Sequence, residues 1–381
     1  MTATPFPDAP LPPPFPDAPL PYHRLAHATG RHRWWRPLAG TALVLAGALV
    51  AAVAVLLGGE IAGAVLDRPV DKDGFHVWGG IGETGSALLS LALLTPVVFL
   101  AARWAQRRPA GTLSSVAGGL RWRWLGWCLL VALPLVCASS GVMMLLPESA
   151  GGGVDGGGGG AEWAGWPDFL LGLAMVCVLV PFQASAEEYV FRGWLVQAVG
   201  AWCRTPWPAL VPQALLFAAA HGWGTPWGFA DLVVFGLVAG VLTVRTGGLE
   251  AAIGLHVVNN LLAMGVSAAV AGALASDETA ADMDRMAVGV DVVMLCGYAA
   301  LVLRLASRRG VGVNQLPEAA GVAGLGGVGG RSASSMEEKE MRRSCMSHAN
   351  GIPTPPKDMD VRAITSSAHP EPGHSGPHRR R

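Results

Sequence analysis

The stretch PDFLLGLAMVCVLVPFQASAEEYVFRGWLVQAVGAWC, residues 167–203, is apolar for longer than a bilayer crossing needs, yet it carries Glu187, Glu188 and Arg192 in its interior. About 20 apolar helical residues span the ~30 Å hydrocarbon core. Ionisable side chains at that depth are costly, and those kept there line a cavity, pair with one another or do chemistry. Two more clusters share this character: Phe217-x-x-x-His221 at the end of LLFAAAH, and His256-x-x-x-Asn260 inside the apolar run that follows Glu250.

Working outward, apolar runs recur at about 37–59, 84–102, 124–147, 167–203, 207–222, 228–245, 248–274 and 286–305. Hydrophobic residues make up 51% of the 381, and charged residues only 14%. The expected fold class is therefore all-α, a polytopic membrane helix bundle of about eight transmembrane helices with disordered N- and C-terminal tails. The run at 37–59 is too long for a signal-peptide core and is read as a membrane anchor.

The joints between runs alternate in charge. Arg103, Arg107, Arg108, Arg121 and Arg123, then Arg204, Arg245, and Arg304, Arg308 and Arg309 mark one side; Asp67, Asp71, Asp73 and Glu83, then Glu148, Asp155 and Glu162, then Asp277, Glu278, Asp282 and Asp284 mark the other. The positive-inside rule then places both termini in the cytoplasm and the glycine-rich loop Gly151–Gly160 outside. Tryptophans such as Trp34, Trp104, Trp122, Trp166 and Trp207 sit near span ends, as an interfacial belt does.

The proline-rich leader repeats PFPDAPLP at 5–12 and 14–21, which favours an extended chain with no core to bury. Residues 1–36 are read as a disordered cytoplasmic arm, 37–164 as N-terminal transmembrane helices, 165–275 as the polar-core region, 276–309 as the last transmembrane helix and 310–381 as a disordered tail. The net charge of zero and the confinement of arginines to joints give no basic stripe for nucleic acid. The six cysteines form no CxxC pair, which argues against a disulfide framework or zinc ribbon. Lysine occurs only at 72, 339 and 357 amid abundant arginine, alanine and glycine, a bias of GC-rich bacterial genomes.

On a helix Glu188 and Arg192 stand at i and i+4, the favourable order for an ion pair. Glu187 points about 100° away and is left without a local partner, as a general base would be. Read alone, His221 could simply reach interfacial water, and His256 with Asn260 could be hydrogen-bond glue between helices. Together, on successive helices, a base, two imidazoles and an amide can activate a water and hold the oxyanion of an attacked peptide carbonyl. Glu187, His221 and His256 could instead ligate a divalent metal such as zinc. No HExxH and no GxSxG nucleophile elbow is present.

At EEYVFR (187–192), FAAAH (217–221) and HVVNN (256–260) the sequence resembles the CPBP family, the CAAX prenyl endopeptidases and bacteriocin-processing intramembrane proteases. The likeness extends over about residues 165–275 and includes FGLVAGVLTVRTGGLEAA. It implies a water activated by Glu187 with His221 beside it, an oxyanion held by His256 and Asn260, and structural support from Glu188, Arg192 and Phe217. It leaves metal-dependent and glutamate-dependent mechanisms both open. The expected activity is hydrolysis of a membrane-associated protein or peptide in a bacterial plasma membrane, with lipid as the surrounding partner.

The alternatives are a non-enzymatic bacteriocin self-immunity or scaffold protein of the same fold, and a proton-coupled transporter, although no second copy of the polar clusters marks an inverted repeat. Counting 1.5 Å per residue from Arg204 and Arg245 puts Glu187 about 25 Å and His256 about 16 Å above the arginine boundary. The clusters then meet only if helices tilt or the fourth span is broken.

Overall fold

A computed structural model describes residues 19–146, 162–276 and 278–315. Most of the proline repeat, the Gly151–Gly160 loop and the tail from 316 onward lie outside the described residues. The protein is a polytopic helical membrane protein: seven helical stretches are long and apolar enough to cross a bilayer. They are α1 (Arg36–Val65), α2 with α3 (Gly79–Ala92 and Leu94–Trp104), α4 (Trp122–Met143), α5 continuing to α6 (Trp166–Glu188 and Val196–Gly200), α8 (Pro226–Thr246), α9 (Glu250–Ala268) and α10 (Arg285–Arg308).

The fifth apolar run, at 207–222, makes only a 14-residue helix, α7 (Trp207–Ala220). At 1.5 Å per residue that is about 21 Å, short of the bilayer core. Gly222 and Gly224, with φ of +98° and +40°, turn the chain immediately afterward and leave His221 at the helix end.

Between α5 and α6 the helix widens into a π-turn over Tyr189–Leu195. Such widened turns recur at functional sites. The whole stretch Trp166–Gly200 is 35 residues, about 52 Å if straight, so counting residues up from Arg204 overstates the depth of Glu187.

Helix α9 lies at the centre of the bundle, packed most extensively on α4 and α5. Small residues allow the approach: a Cβ added at Gly254 would sit 3.0 Å from the Cβ of Cys128 on α4, and one at Gly236 would sit 2.8 Å from the Cα of Ala214 on α7. Lipid tails supply no hydrophobic drive between helices, so close backbone packing of this kind does the work of association. At the arginine end, Arg121 donates from its guanidinium to both Glu250 carboxylate oxygens, 2.8 and 2.6 Å, and to Thr246 O at 3.0 Å, pinning α4 to α8 and α9.

Three expected boundaries move. The disordered arm was placed at 1–36, but Tyr22–His27 form a 3-10 turn whose Tyr22 and Leu25 are fully buried, and Leu20–Pro21 (β1) pair antiparallel with Asn314–Gln315 (β2). The tail placed from 310 is therefore ordered through 315. A few apolar residues after a proline repeat find a core that composition cannot foresee. The last span, expected from 276, begins at Arg285; before it, Ala280–Asp282 form a short turn with a Thr279/Asp282 capping box. Arg108, read as a surface charge of a joint, is buried and donates to Thr112 Oγ1 and Gln197 Oε1, each at 2.6 Å. Burial pushes its guanidinium down to about 10.

Candidate active site

The α5 periodicity that separates Glu187 from Glu188 sends the two carboxyls to different partners. Glu188 is fully buried and accepts from Arg192 NH1 at 2.9 Å, the ion pair expected one turn along the helix. The same oxygen, Oε1, accepts from Nδ1 of His256 on α9 at 2.7 Å. A charge-assisted bond of this length holds the imidazole ring and fixes which nitrogen is committed. Nε2 is the atom left over, facing Glu187 Oε2 at 3.7 Å, too far for a hydrogen bond.

Arg192 in turn lies under aromatic rings, its Cζ 4.1 Å from the centroid of Phe217 and 5.6 Å from that of Phe235. Those rings stack at 5.6 Å, and each meets the His256 ring edge-on, at 5.8 and 5.3 Å. Phe217 is thus the floor that clamps Arg192 and His256 in place, with a cation–π contribution strengthened by desolvation.

Glu187 sits one turn after Gln183, whose Nε2 donates to Glu187 Oε1 at 2.6 Å. Gln183 Oε1 accepts from Asn260 Nδ2 at 3.4 Å, so Asn260, one turn beyond His256 on α9, is tied to Glu187 through the glutamine. Glu187 Oε2 is buried and has no hydrogen-bond partner. A buried carboxylate oxygen left open is costly unless a water or substrate completes it.

His221 comes from the end of α7. Its Nδ1 bonds Phe217 O at 2.9 Å and its ring packs on Phe217 at 4.6 Å, leaving Nε2 free. His221, His256 and Asn260 line one cavity of about 230 Å³, together with Phe217, Phe235, Ser139, Asn259, Asp231 and Asp291. The helices that were expected to meet only by tilting or breaking do meet: Glu187 and His256 are 3.7 Å apart, and the π-turn interrupts the fourth span.

The structure therefore gathers Glu187, Glu188, Arg192, Phe217, His256 and Asn260 in one connected network, and attaches His221 to it through Phe217. Among the described residues, no three histidine, cysteine, aspartate or glutamate side chains converge as metal ligands do. His221 Nδ1 holds to Phe217 O and His256 Nδ1 to Glu188 Oε1, which leaves both Nε2 atoms free, the arrangement in which a histidine is held ready to ligate or to donate.

Four cavity or network residues escaped the sequence reading. Gln183 lies one turn before Glu187, a spacing that could have revealed it. Asp231 and Asp291 lie singly in apolar runs on α8 and α10, and Asp291 falls outside the expected core of 165–275; Ser139 of α4 does as well. Most of the residues lining the cavity lie in the half of the bundle away from the arginine joints, with His256 nearer the middle, and Ala280 and Met283 of the 278–284 joint help to line it.

Comparison with known proteins agrees with the motifs. Residues 166–262 match the family described as type II CAAX prenyl endopeptidase Rce1-like. The chain is 27% identical over 172 residues to the uncharacterized protein YyaK of Bacillus subtilis (strain 168), covering 44% of this chain and 55% of that protein. It is 34% identical over 92 residues to an uncharacterized 24.3 kDa protein of Escherichia coli, covering 24% of this chain and 41% of the other. The chain thus spans about half the length of these curated relatives. No solved structure matches it.

Proposed function

We propose, for a chain whose residues 166–262 fall in the Rce1-like family of type II CAAX prenyl endopeptidases, that the protein is an intramembrane endopeptidase using a water activated by Glu187. The observation that carries this is the split environment of that carboxylate: Oε1 is held by Gln183 while Oε2 is buried and open. A water there gives its proton to Oε2 as its oxygen attacks the peptide carbonyl carbon. The proton then passes from Glu187 to the leaving nitrogen as the C–N bond breaks, returning the carboxylate.

The other residues hold and stabilise. Glu188, anchored by Arg192, fixes the His256 ring through Nδ1–H. With a proton also on Nε2, His256 donates to the carbonyl oxygen as charge develops. Asn260 has a second amide hydrogen for the same oxygen, the first being turned to Gln183. His221, on the cavity wall, has its free Nε2 available to the bound peptide.

The substrate is a membrane-associated protein or peptide and the location a bacterial plasma membrane. With the arginine joints in the cytoplasm, both termini face it, and the cavity opens toward the outer half of the bilayer. An Asp282→Cys variant should then label from outside intact cells; labelling only after permeabilisation reverses the orientation. The activity is tested by comparing membrane proteomes of cells carrying the wild type, the Glu187→Gln variant and no copy of the protein. A cleaved species present only with wild type is expected. The same species with a folded Glu187→Gln protein rejects the general-base role.

A further inference from the structure

The proposed hydrolysis uses one wall of the cavity, and a second polar wall is unaccounted for. Asp231, near the start of α8, is 4% exposed, and Asp291, near the start of α10, is 9% exposed; both line the cavity with His221, His256 and Asn260. Their helices, α8 and α10, pack on one another, so the two carboxyls meet the cavity from adjacent walls. Asp231 Oδ1 has no hydrogen-bond partner.

Two buried carboxyls facing one cavity in a membrane helix bundle repel when both are ionised, and a negative charge they keep needs a cation. None of the residues lining the cavity is a lysine or arginine. Arg192 is bound to Glu188 and covered by Phe217 and Phe235, the two rings that face the cavity, so its charge is spent on the far side of them. A second group points the same way: His256 Nε2, on a side chain 3% exposed, is turned toward Glu187 and the cavity with nothing in hydrogen-bond range. The cavity is built to be completed from outside the chain.

Its size limits what completes it. At about 230 Å³ it is smaller than cavities for drug-sized molecules, about 300–1,000 Å³, and suits one side chain. Its place near one end of the bundle matters too. Basic side chains that flank apolar segments extend along apolar surface toward the bilayer boundary, and Asp231 and Asp291 lie in the second turn of their helices, where such a side chain can reach them.

We propose that Asp231 and Asp291 form a subsite that receives a basic side chain, lysine or arginine, of the polypeptide to be cleaved. This rests on reading the cavity as a proteolytic site. The ammonium or guanidinium supplies the cationic partner that Asp231 and Asp291 lack within the chain, and its stem lies against Phe235 and Leu232. The pair acts in specificity by placing one substrate residue, and it takes no part in bond breaking.

The full-length protein in detergent tests this with three capped tripeptides, acetyl-Ala-X-Ala-amide with X as lysine, norleucine or glutamate, by binding affinity and by shift in Tm. The lysine peptide should bind at least tenfold tighter than the norleucine one, and the glutamate peptide weakest. The lysine preference should vanish in Asp231→Asn/Asp291→Asn and persist in Glu187→Gln. If the double variant fails to accumulate, the single Asp291→Asn carries the test, with a lost or much reduced preference and unchanged norleucine binding. Equal binding of lysine and norleucine peptides, binding of neither, or a preference that survives the aspartate substitutions overturns the subsite. Cleavage by Glu187→Gln protein that keeps the lysine preference overturns the hydrolytic mechanism and leaves the subsite standing.

Discussion

At the arginine end of the bundle the buried carboxylate Glu250 has both oxygens matched, while around the cavity toward the opposite end buried carboxylate oxygens are left open. Glu250 is fully buried, and each of its oxygens takes a hydrogen from Arg121; the fully buried Gln197 joins Arg108 to Thr112 O. Around the cavity, by contrast, Glu187 Oε2 and Asp231 Oδ1 are buried without partners. Desolvating a polar group costs free energy that only a partner recovers. The matched end spends its polar groups on holding helices in register. The open end keeps groups whose partners are a water and a substrate, and that asymmetry separates architecture from chemistry.

The comparison breaks most sharply at Glu187. Removing a positioned base typically costs about 10²–10⁴-fold in rate. Glu187→Gln should lose activity on that scale with its thermal unfolding unchanged, and adding His256→Ala should cost little more, because groups acting on one water are not additive. Additive losses in the double variant would show that the two residues act separately.

At the matched end the expected effect is on stability. Arg121→Ala leaves a fully buried Glu250 carboxylate unpaired and should destabilise by about 3 kcal/mol, the lower part of the range for a broken buried pair, because Arg121 is itself 19% exposed. Chemical unfolding in mixed micelles reads this. Whatever folded fraction remains should have normal kcat; a selective fall in kcat would mean that the anchor reaches the site.

A smaller effect sharpens the boundary between the two regions. Gln183 orients Glu187 and Asn260 without touching a reacting atom, and hydrogen bonds to charged groups are worth about 1.5–3 kcal/mol. Gln183→Leu should lower kcat by about 10- to 100-fold with KM little changed, and Gln183→Glu should not rescue it, since a second carboxylate beside Glu187 repels the first. The smallest expected effect is that of chelation. Extended treatment with a strong chelator should leave the activity of a purified sample within about twofold, and a stoichiometric metal whose removal and return switch activity off and on would assign the histidines to a metal instead.

The sequence made the local pairings legible. A helix brings i and i+4 onto one face, so Glu188 with Arg192, Phe217 with His221 and His256 with Asn260 could be read before any packing was known. The lengths of the apolar runs likewise specify membrane-spanning helices, since bilayer thickness sets how many residues a crossing needs.

What only the tertiary structure decided is how one helix is rotated and shifted against another. Glu188 meets His256 across 68 positions, and Asn260 reaches Gln183 across 77. Asp231 and Asp291 look like isolated polar residues until α8 and α10 pack side by side. The short α7 and the π-turn at Tyr189–Leu195 set the level at which His221 and Glu187 enter the bundle. A local period carries the angle around one helix axis but no information about the neighbouring axis. Relative height and rotation come from close contacts such as Gly254 on Cys128 and from the Arg121–Glu250 anchor, both of which exist only after the chain has packed.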